Sequence, residues 1–293
     1  MQDINFIDRT FQKDASETYS LSIQANQNGL IYCVFNNKAG HYLLFRGHNF
    51  KNVHLVEDLI TQIGEVLEKD DILSLYFQKV VFLGYTQQST LIPASFFSRD
   101  KMTEYLAFNH AGEVDHEIFS SFVAPLEIYN VYAFQRDLVS MISLHFKEVT
   151  FLNQTTPFLM HIAASQKAYS KPAVFAGLNN GFFDLAAMDD GKLQLYNTFQ
   201  YVSESDLLYY VLYAYKQLGY EPQKVPLFIS GEQSSRMSYF EILKQYISGT
   251  VFTAVQGIPA LAPGLDQLRA VRFLNLLNLQ ACVLSEEHTG AEK

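Results

Sequence analysis

The chain has no tryptophan, only two cysteines and only eight prolines among its 293 residues. Charge is scarce as well: Asp, Glu, Lys and Arg make up 17%, against about 25% in an average soluble chain. Each shortage narrows the function. Cys33 and Cys282 stand at no metal-ligand spacing, and two cysteines in a chain of this size suit a reduced, cytoplasmic protein. There is no long basic run and the formal net charge is −9, which argues against nucleic acid as a partner, because neutralising phosphates takes clustered Lys and Arg. No apolar run approaches the ~18 residues of a membrane span, so no membrane insertion is expected. Met1-Gln2-Asp3-Ile4 lacks the basic start and apolar run of a signal peptide. Phosphate-loop, dinucleotide-fingerprint and serine-elbow motifs are all missing.

What is present is apolar and aromatic. Hydrophobic residues reach 48%, with 24 Phe and 18 Tyr, enough for a large core rich in rings. The length suits two domains or one bilobal body.

The order of elements occurs twice. Tyr19–Ala25, Leu30–Phe35 and His41–Arg46 are apolar runs separated by Asn26-Gln27-Asn28-Gly29 and Asn37-Lys38-Ala39-Gly40, both good turns. Val56, Leu59, Ile60, Ile63, Val66 and Leu67 then fall at helical steps, followed by a strand over Val80–Leu83. From Pro172 the pattern restarts: strands at Ala173–Leu178, Phe182–Met188 and Leu193–Phe199, then a helix capped at Ser203-Glu204-Ser205-Asp206 with Leu207, Val211, Ala214 and Leu218 as its buried stripe. A strand at Val225–Ile229, a helix over Ser235–Ile247 and a strand at Val251–Val255 complete the second copy. Even the turns correspond, Asn28-Gly29-Leu30-Ile31 recurring as Asn180-Gly181-Phe182-Phe183.

Between the copies lie a short strand at Leu91-Ile92, a helix over 99–108, a polar loop over 109–117 and a hairpin-like pair, Phe119–Val123 and Leu126–Val131. Residues 134–167 read as two helices around a strand near Val149–Leu152. The expected division is an N-terminal loose or edge segment 1–18, a first lobe 19–167, a second lobe 168–283 and a disordered tail 284–293. Residues 257–264 form a linker before a last helix, which is expected to pack back on the first lobe.

Three antiparallel strands, a helix and a further strand, twice over, resemble the actin-like ATPase fold, an α/β architecture of duplicated ribonuclease-H-like lobes with mixed sheets flanked by helices. Leu193-Gln194-Leu195-Tyr196-Asn197-Thr198-Phe199-Gln200-Tyr201, followed by Asp206-Leu207-Leu208-Tyr209-Tyr210, and more weakly Thr90-Leu91-Ile92-Pro93, are similar to a bacterial family of unknown function numbered 3822. That family is similar in turn to pilus and secretion assembly proteins of the actin-like group. The resemblance covers roughly residues 15–283.

Active members of the fold hold ATP and Mg²⁺ between the lobes, with a glycine-containing hairpin and a first-strand aspartate in each. Matched onto this chain, the first aspartate falls at Gln24 and the first motif glycine at Asn26; the second aspartate falls at Gly177, or at Ala176 if the register slips by one. None of these side chains is an anionic ligand. Gly181 keeps one glycine of the second hairpin, beside Asn179 and Asn180, and the adenosine turn reads Ser230-Gly231-Glu232-Gln233. Without metal-orienting carboxylates the resemblance implies no catalytic residue, no resident metal and no ATP cofactor, hence a pseudo-enzyme serving as a binding or scaffold module for a protein partner. The alternative is a nucleotide or small-molecule binder whose cleft is lined by Gln24, Asn26, Asn28, Gly29, Gly177, Asn179, Asn180, Gly181, Asp184, Gly231, Glu232 and Gln233. A third reading, an active ATPase or kinase, takes its acids from Asp184 and Asp206.

Three smaller features remain. His110, Glu113, Asp115, His116 and Glu117 form the densest set of metal-ligand types, but their order matches no helical zinc motif and suits a solvated acidic loop. Cys33, among Ile31, Tyr32, Val34 and Phe35, suits a buried structural thiol. Tyr209, Tyr213, Lys216 and Tyr220 make a second stripe on their helix, either packing internally or forming a partner-binding face.

Overall fold

The computed structural model describes residues 4–110, 115–166, 171–254, 267–280 and 282. Two compact units divide the described chain, one reaching to Pro157 and the other beginning at Phe158.

The first unit holds strands β1 (Asn5–Ile7), β2 (Tyr19–Asn26), β3 (Gly29–Asn36), β4 (His41–Asn49), β5 (Lys79–Gly84), β6 (Ser89–Pro93), β7 (His116–Val123), β8 (Ile128–Gln135) and β9 (Val149–Asn153). Its helices are α1 (Val56–Lys69), α2 (Met102–Asn109) and α3 (Arg136–His145); α4 (Thr155–Gln166) begins in it. The main sheet has the order β1-β4-β3-β2-β5-β9, with β2, β5 and β9 parallel and the hairpins antiparallel. β2 is buried along its whole length, so both faces are covered and its sequence reads as continuous burial. One face, Leu21, Ile23 and Ala25, meets Ile63 and Leu67 of α1 and Leu138, Val139 and Ile142 of α3. Against the other face Gln280 donates to the Ser22 hydroxyl at 3.0 Å. A separate sheet, β6-β8-β7, lies in the insertion between β5 and β9, where α2 packs Leu106 on Val131 and Ala133.

The second unit holds β10 (Ala173–Leu178), β11 (Phe182–Asp189), β12 (Lys192–Gln200), α5 (Glu204–Leu218), β13 (Leu227–Ser230), α6 (Met237–Tyr246), β14 (Thr250–Phe252) and α7 (Gln267–Arg272). Its sheet order is β12-β11-β10-β13-β14. That repeats β4-β3-β2-β5-β9 strand for strand, with the same parallel and antiparallel senses. The duplication is therefore a repeat of topology. α5 starts with a reciprocal cap, Ser203 Oγ accepting from the Asp206 amide at 3.2 Å and Asp206 Oδ2 from the Ser203 amide at 3.0 Å. It ends at Gly219 in the left-handed region, φ 68°. Leu207, Val211, Ala214 and Tyr215 bury its inner face with Leu243 of α6.

Several boundaries differ from the sequence expectation. Residues 5–7 of the N-terminal segment pair with β4 as an edge strand, and residues 13–18 form a 3₁₀ turn. β4 runs on to Asn49, β8 to Gln135, and β7 already begins at His116, so the loop expected over 109–117 is shorter. β13 starts at Leu227 because Pro226 cannot donate to the ladder. The units divide inside α4 instead of at 167/168, with Phe158 packing on Gly177 of the second unit. α7 and the residues to Asn278 group with the second unit, whereas Leu279 and Gln280 group with the first. The expected linker at 257–264 and the tail lie outside the described residues.

β12 pairs only with β11 among the described residues, and opposite Ala187/Met188 it carries a bulge, with Gln194 as the extra residue. By contrast β4, its counterpart in the first unit, is covered by β1 from Leu44 to Arg46.

Candidate functional site

In both units the candidate residues gather where the first strand and its parallel neighbour end, the edge at which open α/β sheets receive ligands. The two hairpins are superimposable in register. Asn26 closes the first hairpin opposite Gly29, and the Asn179 amide closes the second by donating to the Phe182 carbonyl at 3.0 Å. Gln24 and Gly177 each lie two residues before that closing asparagine, so they occupy equivalent places. The repeated Asn-Gly pairs do not: Gly29 is already in its strand, while Gly181, φ 77°, sits in the turn.

In the first unit, Gln24 is buried between Ile31 and Leu83. The Asn26 carboxamide oxygen accepts from the Asn28 amide at 2.8 Å. Gly29 is required by a close approach, since a Cβ there would lie 2.2 Å from the His48 carbonyl oxygen.

In the second unit, Gly177 pairs with Asp184 on one side and with Ser230 on the other. A Cβ on Gly177 would stand 3.2 Å from the Phe158 ring. The Phe158 ring thus borders this position closely. On the neighbouring strand, Asp184 is 1% exposed. Its Oδ1 accepts from Thr198 Oγ1 at 2.7 Å and Tyr196 OH at 2.8 Å, and its Oδ2 from Asn179 Nδ2 at 3.3 Å. The Tyr201 hydroxyl donates to the Asn179 carbonyl at 2.6 Å. Gly231, φ 93°, turns the chain after β13 so tightly that a Cβ would lie 2.5 Å from the Leu178 carbonyl oxygen. Glu232 is buried at the start of the following 3₁₀ turn, and Gln233 is half-buried.

The structure therefore brings Gly177, Asn179, Asp184, Gly231 and Glu232 together in the second unit, and Gln24, Asn26, Asn28 and Gly29 in the first. Asn180 and Gly181 are exposed at their hairpin tip. Asp206 is the capping carboxylate of α5, with both hydrogen bonds on backbone amides. Tyr209 and Tyr213 stack on each other in solvent, 62% and 45% exposed, beside an exposed Lys216; Tyr220 is half-buried against Tyr215. Cys33 is buried, which pushes its thiol well above the usual range. Among the described residues no cluster of three or more His, Cys, Asp or Glu forms a metal site; His110 lies on the Ser89 carbonyl, Asp115 on Arg136, and Glu113 is outside the described residues.

Two sets of partners went unread in the sequence. Tyr196 and Thr198 alternate on one face of β12 opposite Asp184, a hydroxyl–x–hydroxyl spacing across from a strand acid that could have flagged them. In the first unit, Asn130 Nδ2 donates to Asn153 Oδ1 at 2.6 Å and to Thr156 Oγ1 at 3.0 Å, with Ser121 beside Thr156 at 2.5 Å. This buried network ties β7 and β8 to the end of β9, and it depends on long-range pairing that no local spacing signals.

The topology and these sites define an actin-like ATPase fold. The chain belongs to the family described as protein of unknown function, DUF3822, whose pattern matches residues 8–249. A crystal structure of a Bacteroides thetaiotaomicron protein with an actin-like ATPase fold and unknown function is similar at TM-score 0.81 and 17% identity, covering 93% of this chain and 99% of that one. The type IV pilus biogenesis complex PilM–PilN contains a chain similar at TM-score 0.63 and 11% identity, covering 90% and 98%. No curated protein matches the chain in sequence.

Proposed function

We propose that the chain is a catalytically inactive actin-like protein of the cytoplasm that works as a binding or scaffold module for another protein. The carrying observation is that Gly177, matched to a metal-orienting aspartate, has no side chain and lies against the Phe158 ring, while the nearby Asp184 already has two hydroxyls on one oxygen. Mg²⁺ keeps oxygen ligands and several waters around it, and neither fits a carboxylate sealed in this way. The PilM–PilN complex, an assembly of two different proteins on a similar fold, favours a protein partner. The exposed pair Tyr209 and Tyr213 beside Lys216 supplies a candidate face, because aromatic side chains are enriched at interface cores. Purified protein is expected to show no Mg²⁺-dependent ATP turnover above buffer; measurable turnover that disappears with EDTA would sink the reading.

One observation favours the rival, a nucleotide binder without hydrolysis. Gly231, matched to a glycine of the fold's adenosine turn, keeps its place after β13 with the buried Glu232 beside it. A thermal-shift panel of nucleotides separates the two, since any ligand of the native state raises apparent stability.

A further inference from the structure

Where β4 ends lies a cavity of about 640 Å³ walled by the residues Arg46–Lys51 on one side and by Gln62, Glu65, Val66 and Lys69 of α1 on the other; it adjoins the first hairpin, the Phe50 amide donating to the Asn28 carbonyl at 3.0 Å. Its floor is Asp70, which follows α1 and whose side chain is 1% exposed. Three side chains converge on this carboxylate. Arg46 Nη1 donates to Oδ1 at 2.9 Å, Tyr32 OH to Oδ2 at 2.8 Å, and His48 Nε2 to Oδ2 at 2.8 Å; the Ile72 amide adds a fourth bond at 3.0 Å. Burial alone would raise this carboxyl. The hydrogen bonds from His48, Ile72 and Tyr32, with the Arg46 charge, override it and hold the group far below the usual carboxylate range. An ionised carboxylate only accepts, so the His48 proton on this side sits on Nε2.

The buried carboxylate thus fixes a guanidinium and an imidazole on the cavity wall, which is how a second layer of residues pre-organises a binding site. Arg46 and His48 keep 21% and 31% of their side chains exposed. The acids around the cavity are each engaged: Asp70 by Arg46 and His48, Asp71 by Lys13, Glu65 by Lys69. Lys51, at the rim, has no acidic partner among the described residues. The lining carries three cations, Arg46, Lys51 and Lys69, and three carboxylates, Asp70, Asp71 and Glu65, with Lys13 reaching Asp71 from outside it. Phe50 and Val66 add an apolar wall.

We propose that this cavity binds a small organic oxyanion, its charged end on Arg46 and Lys51 and its apolar body against Phe50 and Val66. The test is calorimetric titration of the full chain with phenyl phosphate and with benzoate, which share an apolar body and differ in the oxyanion. At least one is expected to bind with a dissociation constant below about 1 mM. Whichever binds names the ligand class, phosphate ester or carboxylate. Arg46→Ala would strip a buried carboxylate of its cation and endanger folding, so the diagnostic variant is Lys51→Glu on the exposed rim. It should keep the melting temperature of the unliganded protein and weaken binding at least tenfold. Failure of both probes to bind at millimolar concentration, or binding unchanged in Lys51→Glu, would overturn the proposal.

Discussion

Each unit buries one aspartate, and the two are satisfied in opposite ways. Asp70 of the first unit is held by charge, from Arg46 and His48, with Tyr32 added. Asp184 of the second unit is held by neutral donors, the hydroxyls of Tyr196 and Thr198 and the Asn179 amide. The first carboxylate fixes Arg46 and His48 beside a cavity; the second is satisfied wholly within its own sheet and hairpin.

The contrast is open to direct attack. Asp70→Asn removes one member of a buried charge cluster and is expected to cost about 3 kcal/mol, read from urea unfolding. Asp184→Asn keeps shape and loses only charge-assisted hydrogen bonds, so about 1 kcal/mol is expected. Equal losses would erase the distinction.

Acid should separate the units as well. His161 on α4 is buried in the second unit, and burial lowers its pKa from 6.5 to about 4. The unfolded chain therefore binds the proton first: the stability contributed by neutral His161 is complete above the unfolded value and is lost as pH falls from 6.5 towards 4. The loss by pH 4 is roughly 3 kcal/mol. Asp70, with its pKa depressed, keeps its contribution above the unfolded value of 3.8 and yields it only below. Hydrogen exchange at pH 5 should show the second unit loosening first, and His161→Phe should blunt that loss; an unchanged acid response in the variant refutes the assignment.

Gly231→Ala forces a Cβ onto the Leu178 backbone at positive φ and is expected to cost about 2 kcal/mol. Gly177→Ala meets only the Phe158 ring and should cost less than about 1 kcal/mol, both by thermal melting. Tyr209→Ser with Tyr213→Ser should change stability by no more than about 0.5 kcal/mol, because both rings stand in solvent. A large loss would move these tyrosines from a partner face to the core.

The sequence carried most of the fold because the repeated hairpins, the α1 and α5 stripes and the turn residues are local signals. Matching to the fold family set Gln24 against Gly177 or Ala176, and in the hairpin register Gln24 and Gly177 each lie two residues before the closing asparagine. What stayed hidden depends on distance along the chain. Phe158 reaches Gly177 from a helix nineteen positions earlier, Gln280 reaches Ser22 across the whole chain, and Asp70 looks like an ordinary residue after a helix until β3 and β4 bring Tyr32, Arg46 and His48 to it. The inserted β6-β8-β7 sheet was half visible, as a hairpin and a lone strand, because its pairing of β6 with β8 skips over α2 and β7.

The uneven edges of the two main sheets carry a consequence of their own. β4 is shielded by β1, whereas β12 has no second strand beside it among the described residues, with Lys192 at its start and the Gln194 bulge along it. A charged residue and a bulge are the devices that keep a bare sheet margin from recruiting another strand. The second unit is therefore built to resist self-propagating stacking along that margin, and its encounters with other molecules fall to its side chains.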